Sequence, residues 1–112
     1  MKTKNMTKLF VGISMIAAAQ IAVAGNITDI NVSTLPDSQK IIKIRFDRDV
    51  ISPSGFITSA PSRIALDFAK TNIQLAQPVL EYADPLLNQI TAAQNNDRSR
   101  IVLGLNKAAQ YN

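Results

Sequence analysis

Ile42-Lys43-Ile44-Arg45-Phe46-Asp47 sets apolar side chains at every second position, with a charged residue after each one. Successive side chains of an extended chain point to opposite faces. The stretch therefore reads as a strand with one face in a core and the other in water. Arg63-Ile64-Ala65-Leu66-Asp67-Phe68 repeats the pattern through Ile64, Leu66 and Phe68. Arg100-Ile101-Val102-Leu103-Gly104-Leu105 repeats it through Ile101, Leu103 and Leu105. Ile30 and Val32 make a shorter case, with Ile27 one step out of phase, a slip that predicts a β-bulge. Phe56-Ile57 reads as a further strand, and Phe46, Phe56 and Phe68 are assigned to the core. Turns are expected at 36–38, 52–55, 60–62 and 95–97, from proline's fixed φ and from Asx and Ser hydrogen bonding.

One segment departs from alternation. Asn72–Asn88 holds Leu75, Val79, Leu80, Tyr82, Leu86 and Leu87 between prolines at 78 and 85. Val79-Leu80-Glu81-Tyr82 is read as a helical turn, with Pro78 at its first position and Pro85 ending it. The segment as a whole is expected to be an irregular crossover between two halves. Those halves compare directly. Ile27, Ile30 and Val32 share their spacing with Leu87, Ile90 and Ala92, and Ile42-x-Ile44-x-Phe46 answers Ile101-x-Leu103-x-Leu105. The shift is 60 residues before the connecting loop and 59 after it, so the second loop is one residue shorter. Two strand–turn–strand units of equal spacing predict an all-β fold, a β-sandwich of two similar small sheets packed face to face. The first unit continues through Phe56-Ile57 and Arg63–Phe68, whereas the second has nothing comparable before Asn112. On that comparison the sandwich is expected to be incomplete at its C-terminus, with an open edge on its last sheet.

Outward from these strands the chain begins with Lys2, Lys4 and Lys8, then an apolar run over Leu9–Ala19 broken by Gly12 and Ser14, then Ala22-Val23-Ala24. That is the order of a secretory signal peptide, with cleavage expected after Ala24. The run is too short for a membrane span, and Gln20 interrupts it. Residues 1–24 are thus read as a leader and 25–112 as one domain, exported to a periplasm or beyond. At 112 residues one domain is the limit. The absence of Cys and His removes disulfides, thiol nucleophiles, imidazole bases and the usual zinc, haem and iron–sulfur ligand sets. No cofactor is expected. Of the net charge of +4, the leader lysines supply +3; residues 25–112 carry 9 basic and 8 acidic groups, a net of +1. Strong DNA contact needs clustered positive charge, so none is expected.

Several stretches are similar to a known family: Gly25-Asn26-Ile27-Thr28-Asp29-Ile30, Gly55-Phe56-Ile57-Thr58-Ser59, Arg63–Phe68, Val79-Leu80-Glu81-Tyr82-Ala83-Asp84-Pro85-Leu86-Leu87 and Arg100-Ile101-Val102-Leu103. They resemble the AMIN domain, and more narrowly the AMIN domain at the front of type IV pilus secretins. The Val79–Leu87 run is the most specific part. The resemblance implies a β-sandwich of two similar sheets in the periplasm, associated with peptidoglycan and with envelope localisation. For a secretin it implies other pilus-assembly proteins as partners and an outer-membrane barrel. Homo-oligomerisation follows only through that barrel, and pilus biogenesis, secretion and DNA uptake follow as roles of the whole assembly. A structural adaptor that docks another pilus-assembly protein is the alternative.

Little in the domain is suited to catalysis. Asp47 and Asp49 share a strand face only if the strand runs on through them, and a charged triplet at a strand end reads as a solvated turn. No enzymatic activity is expected. Binding is the better prospect. With Ile42, Ile44 and Phe46 in the core, Lys43 and Arg45 point outward together; Arg63 and Asp67 do likewise on their strand. The peptide stems of peptidoglycan carry carboxylates, which arginine forks grip in two-point geometry. Arg45, Arg63, Arg98, Arg100 and Lys43 are the candidate ligands, set against the plain role of solubilising charges on an antiparallel sheet. Tyr82 and Tyr111 are the only tyrosines, and Tyr82 suits the core as well as a sugar.

Overall fold

Each alternating stretch forms a strand. In a computed structural model, residues 25–112 are described; the expected leader lies outside the described residues. The strands are β1 (Gly25–Thr34), β2 (Lys40–Phe46), β3 (Ser54–Thr58), β4 (Arg63–Phe68), β5 (Thr71–Ile73), β6 (Val79–Glu81), β7 (Leu87–Asn95) and β8 (Arg98–Leu105). They make two sheets, ordered β2-β1-β5 and β3-β4-β8-β7-β6. All neighbours are antiparallel except β1 and β5.

The repeat holds pair by pair. In the first hairpin Ile27 faces Phe46, Ile30 faces Ile44 and Val32 faces Ile42. In the second, Leu87 faces Leu105, Ile90 faces Leu103 and Ala92 faces Ile101. The bulge expected at Ile27 lies between Ile27 and Asp29, and its counterpart lies at the same place in the second hairpin, between Leu87 and Gln89. A two-residue turn, Asn96-Asp97, joins β7 to β8, with Asn96 at φ 59°. Asparagine tolerates that left-handed backbone better than most side chains.

The halves diverge after their hairpins. β3 and β4 follow the first hairpin in sequence but pair with the second, β4 lying against β8. One sheet therefore reaches five strands and the other three. β8, the last strand, ends up flanked on both sides, and the open edge beside the hairpins falls on β2. The helical turn expected at Val79–Tyr82 is not formed. Val79–Glu81 is extended as β6, because Leu80 faces Ile90 and packs on the core while Pro78 spends only its carbonyl, which accepts from Ala92 N. Proline at a strand margin costs no ladder bond.

Inward residues of both sheets build one core: Ile27 and Ile30 of β1, Ile64 and Phe68 of β4, Leu87, Ile90 and Ala92 of β7, and Ile101 and Leu103 of β8. Phe46 and Phe68 meet edge to face with ring centroids 5.5 Å apart. Tyr82 is half-buried against this core. Phe56 is not part of it. It faces Ala65 across β3 and β4, on the outer side, and is 45% exposed.

One side of the sandwich is stitched shut by polar groups. Ser99 Oγ of β8 donates to the carbonyl of Thr71 in β5 at 2.5 Å, and both residues are buried. Gln94 of β7 accepts from Ile73 N through Oε1 and donates through Nε2 to Asn72 Oδ1 and Asn96 O. On the other side the ion pair from Lys40 Nζ to Asp84 Oδ1, at 2.5 Å, joins β2 to the segment before β7.

Candidate functional site

Strand register fixes which side chains share the outer face of the five-stranded sheet. One row runs Ser54, Asp67, Arg100, Ala93. The next runs Phe56, Ala65, Val102, Thr91, Val79, and the third Thr58, Arg63, Gly104, Gln89, Glu81. An apolar stripe thus lies between two charged rows. Phe56 and Val79, at its ends, are the most exposed members.

Arg100 is committed within its row. Its Nε donates to Asp67 Oδ1 at 2.6 Å and its Nη2 to Asp67 Oδ2 at 2.9 Å, while its guanidinium carbon lies 5.5 Å from the Phe56 ring centre. The two-point pair holds the Asp67 carboxyl below the usual range, with a smaller push from Arg98, and raises the Arg100 guanidinium. Arg98 stands two residues before Arg100 on β8, opposite Asn95 and next to the β7–β8 turn. With Asp67, Arg100, Gln94 and Asn95 it lines a shallow pocket of about 320 Å³. Among the described residues no acid lies within ion-pair distance of Arg98. Gln94 is occupied with β5, so Arg98 and Asn95 are the groups this pocket offers a ligand.

Arg63 sits at the far end of the same face. It is four residues from Asp67 along β4, about 13 Å at strand rise, so it cannot share a carboxylate with Arg98. Lys43 and Arg45 lie on the outer face of the other sheet, with the core between them and Arg63, Arg98 and Arg100. Arg45 stands opposite Asp29 without an ion pair, and Lys43 opposite Asn31. The five candidate ligands therefore fall on two opposed faces, three on one and two on the other.

Asp47, the first acid of the strand-end triplet, is spent structurally. Asp47 Oδ1 accepts from Asn26 N and Oδ2 from Asn26 Nδ2, each at 2.8 Å, which pins the start of β1 to the end of β2. Those bonds, aided by Arg48, lower its carboxyl. Among the described residues no group of three acids stands close enough to hold a metal ion. What the two faces can do is hold anions and amides through arginine and lysine, beside exposed apolar surface.

Sequence reasoning missed the node at Asp84. Its Oδ2 accepts from Leu86 N and Leu87 N at 2.8 and 2.9 Å, its Oδ1 accepts from Lys40, and its carbonyl accepts from Asn106 Nδ2. Asp84 begins an Asx turn before Pro85, and that local half is the signal a sequence carries. The Lys40 half is 44 residues away.

Comparison with known proteins identifies the family. The profile of the AMIN domain matches residues 29–112. The chain is 58% identical, over its whole length, to "Type IV pilus biogenesis and competence protein PilQ" of Neisseria gonorrhoeae, of which it covers 16%. The namesake in Neisseria meningitidis serogroup A is equally similar, with 15% covered. "Fimbrial assembly protein PilQ" of Pseudomonas aeruginosa is 28% identical over 89% of the chain and 14% of that protein. The chain thus spans about a sixth of the curated relatives it matches. No solved structure matches. Two equivalent hairpins, a shared core and a profile match across nearly all described residues make this chain a member of the AMIN domain family.

Proposed function

We propose that this AMIN domain is an envelope-anchoring module of a type IV pilus secretin, and that it associates with peptidoglycan. The supporting observation is identity of 58%, end to end, with PilQ proteins whose names place them in pilus biogenesis and competence. In this reading residues 1–24 direct export, the domain works in the periplasm, and its link to the outer membrane and its oligomeric state come from a secretin barrel. Arg98 and Asn95 take a stem-peptide carboxylate or amide at the β7–β8 pocket, and Arg63 provides a separate point further along that face. Lys43 and Arg45 give a weaker second face. Arg100 serves as a positioning residue, because Asp67 already holds its fork.

Co-sedimentation with purified sacculi tests this. The exported domain is expected to pellet with sacculi, and Arg98→Ala to reduce the bound fraction severalfold while Lys107→Ala leaves it unchanged. A domain that stays in the supernatant contradicts the reading.

The adaptor reading is favoured by one observation, the apolar stripe from Phe56 to Val79 on an outer face. It predicts no sacculus retention and a specific envelope protein crosslinked to a photoreactive residue at position 56.

A further inference from the structure

The two hairpins share one register but differ in their neighbours. β8 lies between β7 and β4, whereas β2 has β1 alone. Burial follows that difference. Ile101 and Leu103, flanked by Leu66 and Ile64 of β4, are 0% and 6% exposed. Their counterparts on β2, Ile42 and Ile44, are only half-buried. Ile42 stands on one wall of a groove of about 500 Å³, lined further by Ile64, Leu66, Leu103 and Leu105 and by the chain's own residues 109–112. A strand placed beside β2 as β4 is placed beside β8 would set alternate side chains toward that groove.

We infer that the β2 edge binds an added antiparallel strand from a partner polypeptide, apolar at alternate positions and acidic between them. The register of β4 on β8, carried to β2, puts apolar residues opposite Ile44 and Ile42, and it leaves the positions opposite Arg45 and Lys43 to be filled by acids that match those two cations. Charge selects this occupant. Lys43 and Arg45 point outward on the open strand, and among the described residues neither has an acid in ion-pair reach. A second copy of β2 would bring lysine and arginine against lysine and arginine, and like charges on facing strands are destabilising. β4 itself is taken by β8. The main chain supplies affinity by extending the sheet, and the side-chain pattern supplies choice. This inference stands apart from the cell-wall reading, since sacculus retention and strand binding fail independently.

Two end-capped, fluorescently labelled hexapeptides test it: Glu-Ile-Glu-Leu-Thr-Phe, and the same peptide with both Glu replaced by Lys. Anisotropy against the exported domain should show saturable binding of the acidic peptide below about 1 mM and at least about tenfold weaker binding of the lysine peptide. The double variant Lys43→Glu/Arg45→Glu changes exposed side chains only, and circular dichroism checks its fold. It should reverse that preference. Amide exchange should slow along β2 when the acidic peptide is bound. No acidic-peptide binding up to about 1 mM, equal binding of the two peptides, protection confined to β3 or β6, or dimerisation of the free domain through β2 each overturns the inference.

Discussion

Asp84 joins the two sheets through one carboxylate. The amide of Leu87, then Lys40 and the amide of Leu86, hold its pKa at about 2, against 3.8 for a free side chain. The folded state therefore binds this proton less readily than the unfolded chain does. Between about pH 4 and pH 2 the unfolded state gains protons first, so stability falls as pH falls through that window and is fully present above it. Thermal melts across pH 2–6 should show this loss. Asp84→Asn should flatten the acid limb and lower the melting temperature at pH 7, whereas an unchanged acid limb in that variant would remove Asp84 from the account. Only part of this was legible. The Asx turn before Pro85 has a local signature, but nothing near Lys40 marks it as the partner of a residue 44 positions on. Arg98 and Arg100 were both legible as candidate ligands. That Asp67 occupies one and not the other depends on a cross-strand register that alternation does not encode.

Hairpins are where sequence and structure agree most closely. Alternation, the out-of-phase Ile27 and the 60-then-59 shift are all local or comparative signals; the bulge expected at Ile27 is present, and the structure adds its counterpart after Leu87. β5 and β6 escaped because three residues are too few to show a period, and Pro78 imitates the start of a helix. Phe56 was misassigned to the core because an alternation read from one strand does not say which face is inside. The equivalence of β2 and β8 gives a paired prediction. Ile101→Ala empties a fully buried site and should cost about 3–4 kcal/mol. Ile42→Ala, at the matching position on the open edge, should cost about 1–2 kcal/mol, since much of that side chain already meets water. Urea denaturation of the two variants makes the comparison. Ser99→Ala should cost about 1–2 kcal/mol, because it leaves the buried Thr71 carbonyl without a donor.

As a whole, the domain is a sandwich stitched on one side by Ser99, Thr71 and Gln94 and latched on the other by the Lys40–Asp84 ion pair. Its near-neutral charge over residues 25–112 predicts little retention on duplex DNA at physiological salt, which a filter-binding titration checks. Native-state amide exchange of residues 25–112 asks most directly whether matching hairpins sit in unmatched surroundings. Amides of Ile101 and Leu103 should exchange only through global unfolding, and those of Ile42 and Ile44 at least about a hundredfold faster, through local opening of an unflanked strand. Equal protection of β2 and β8 would contradict this.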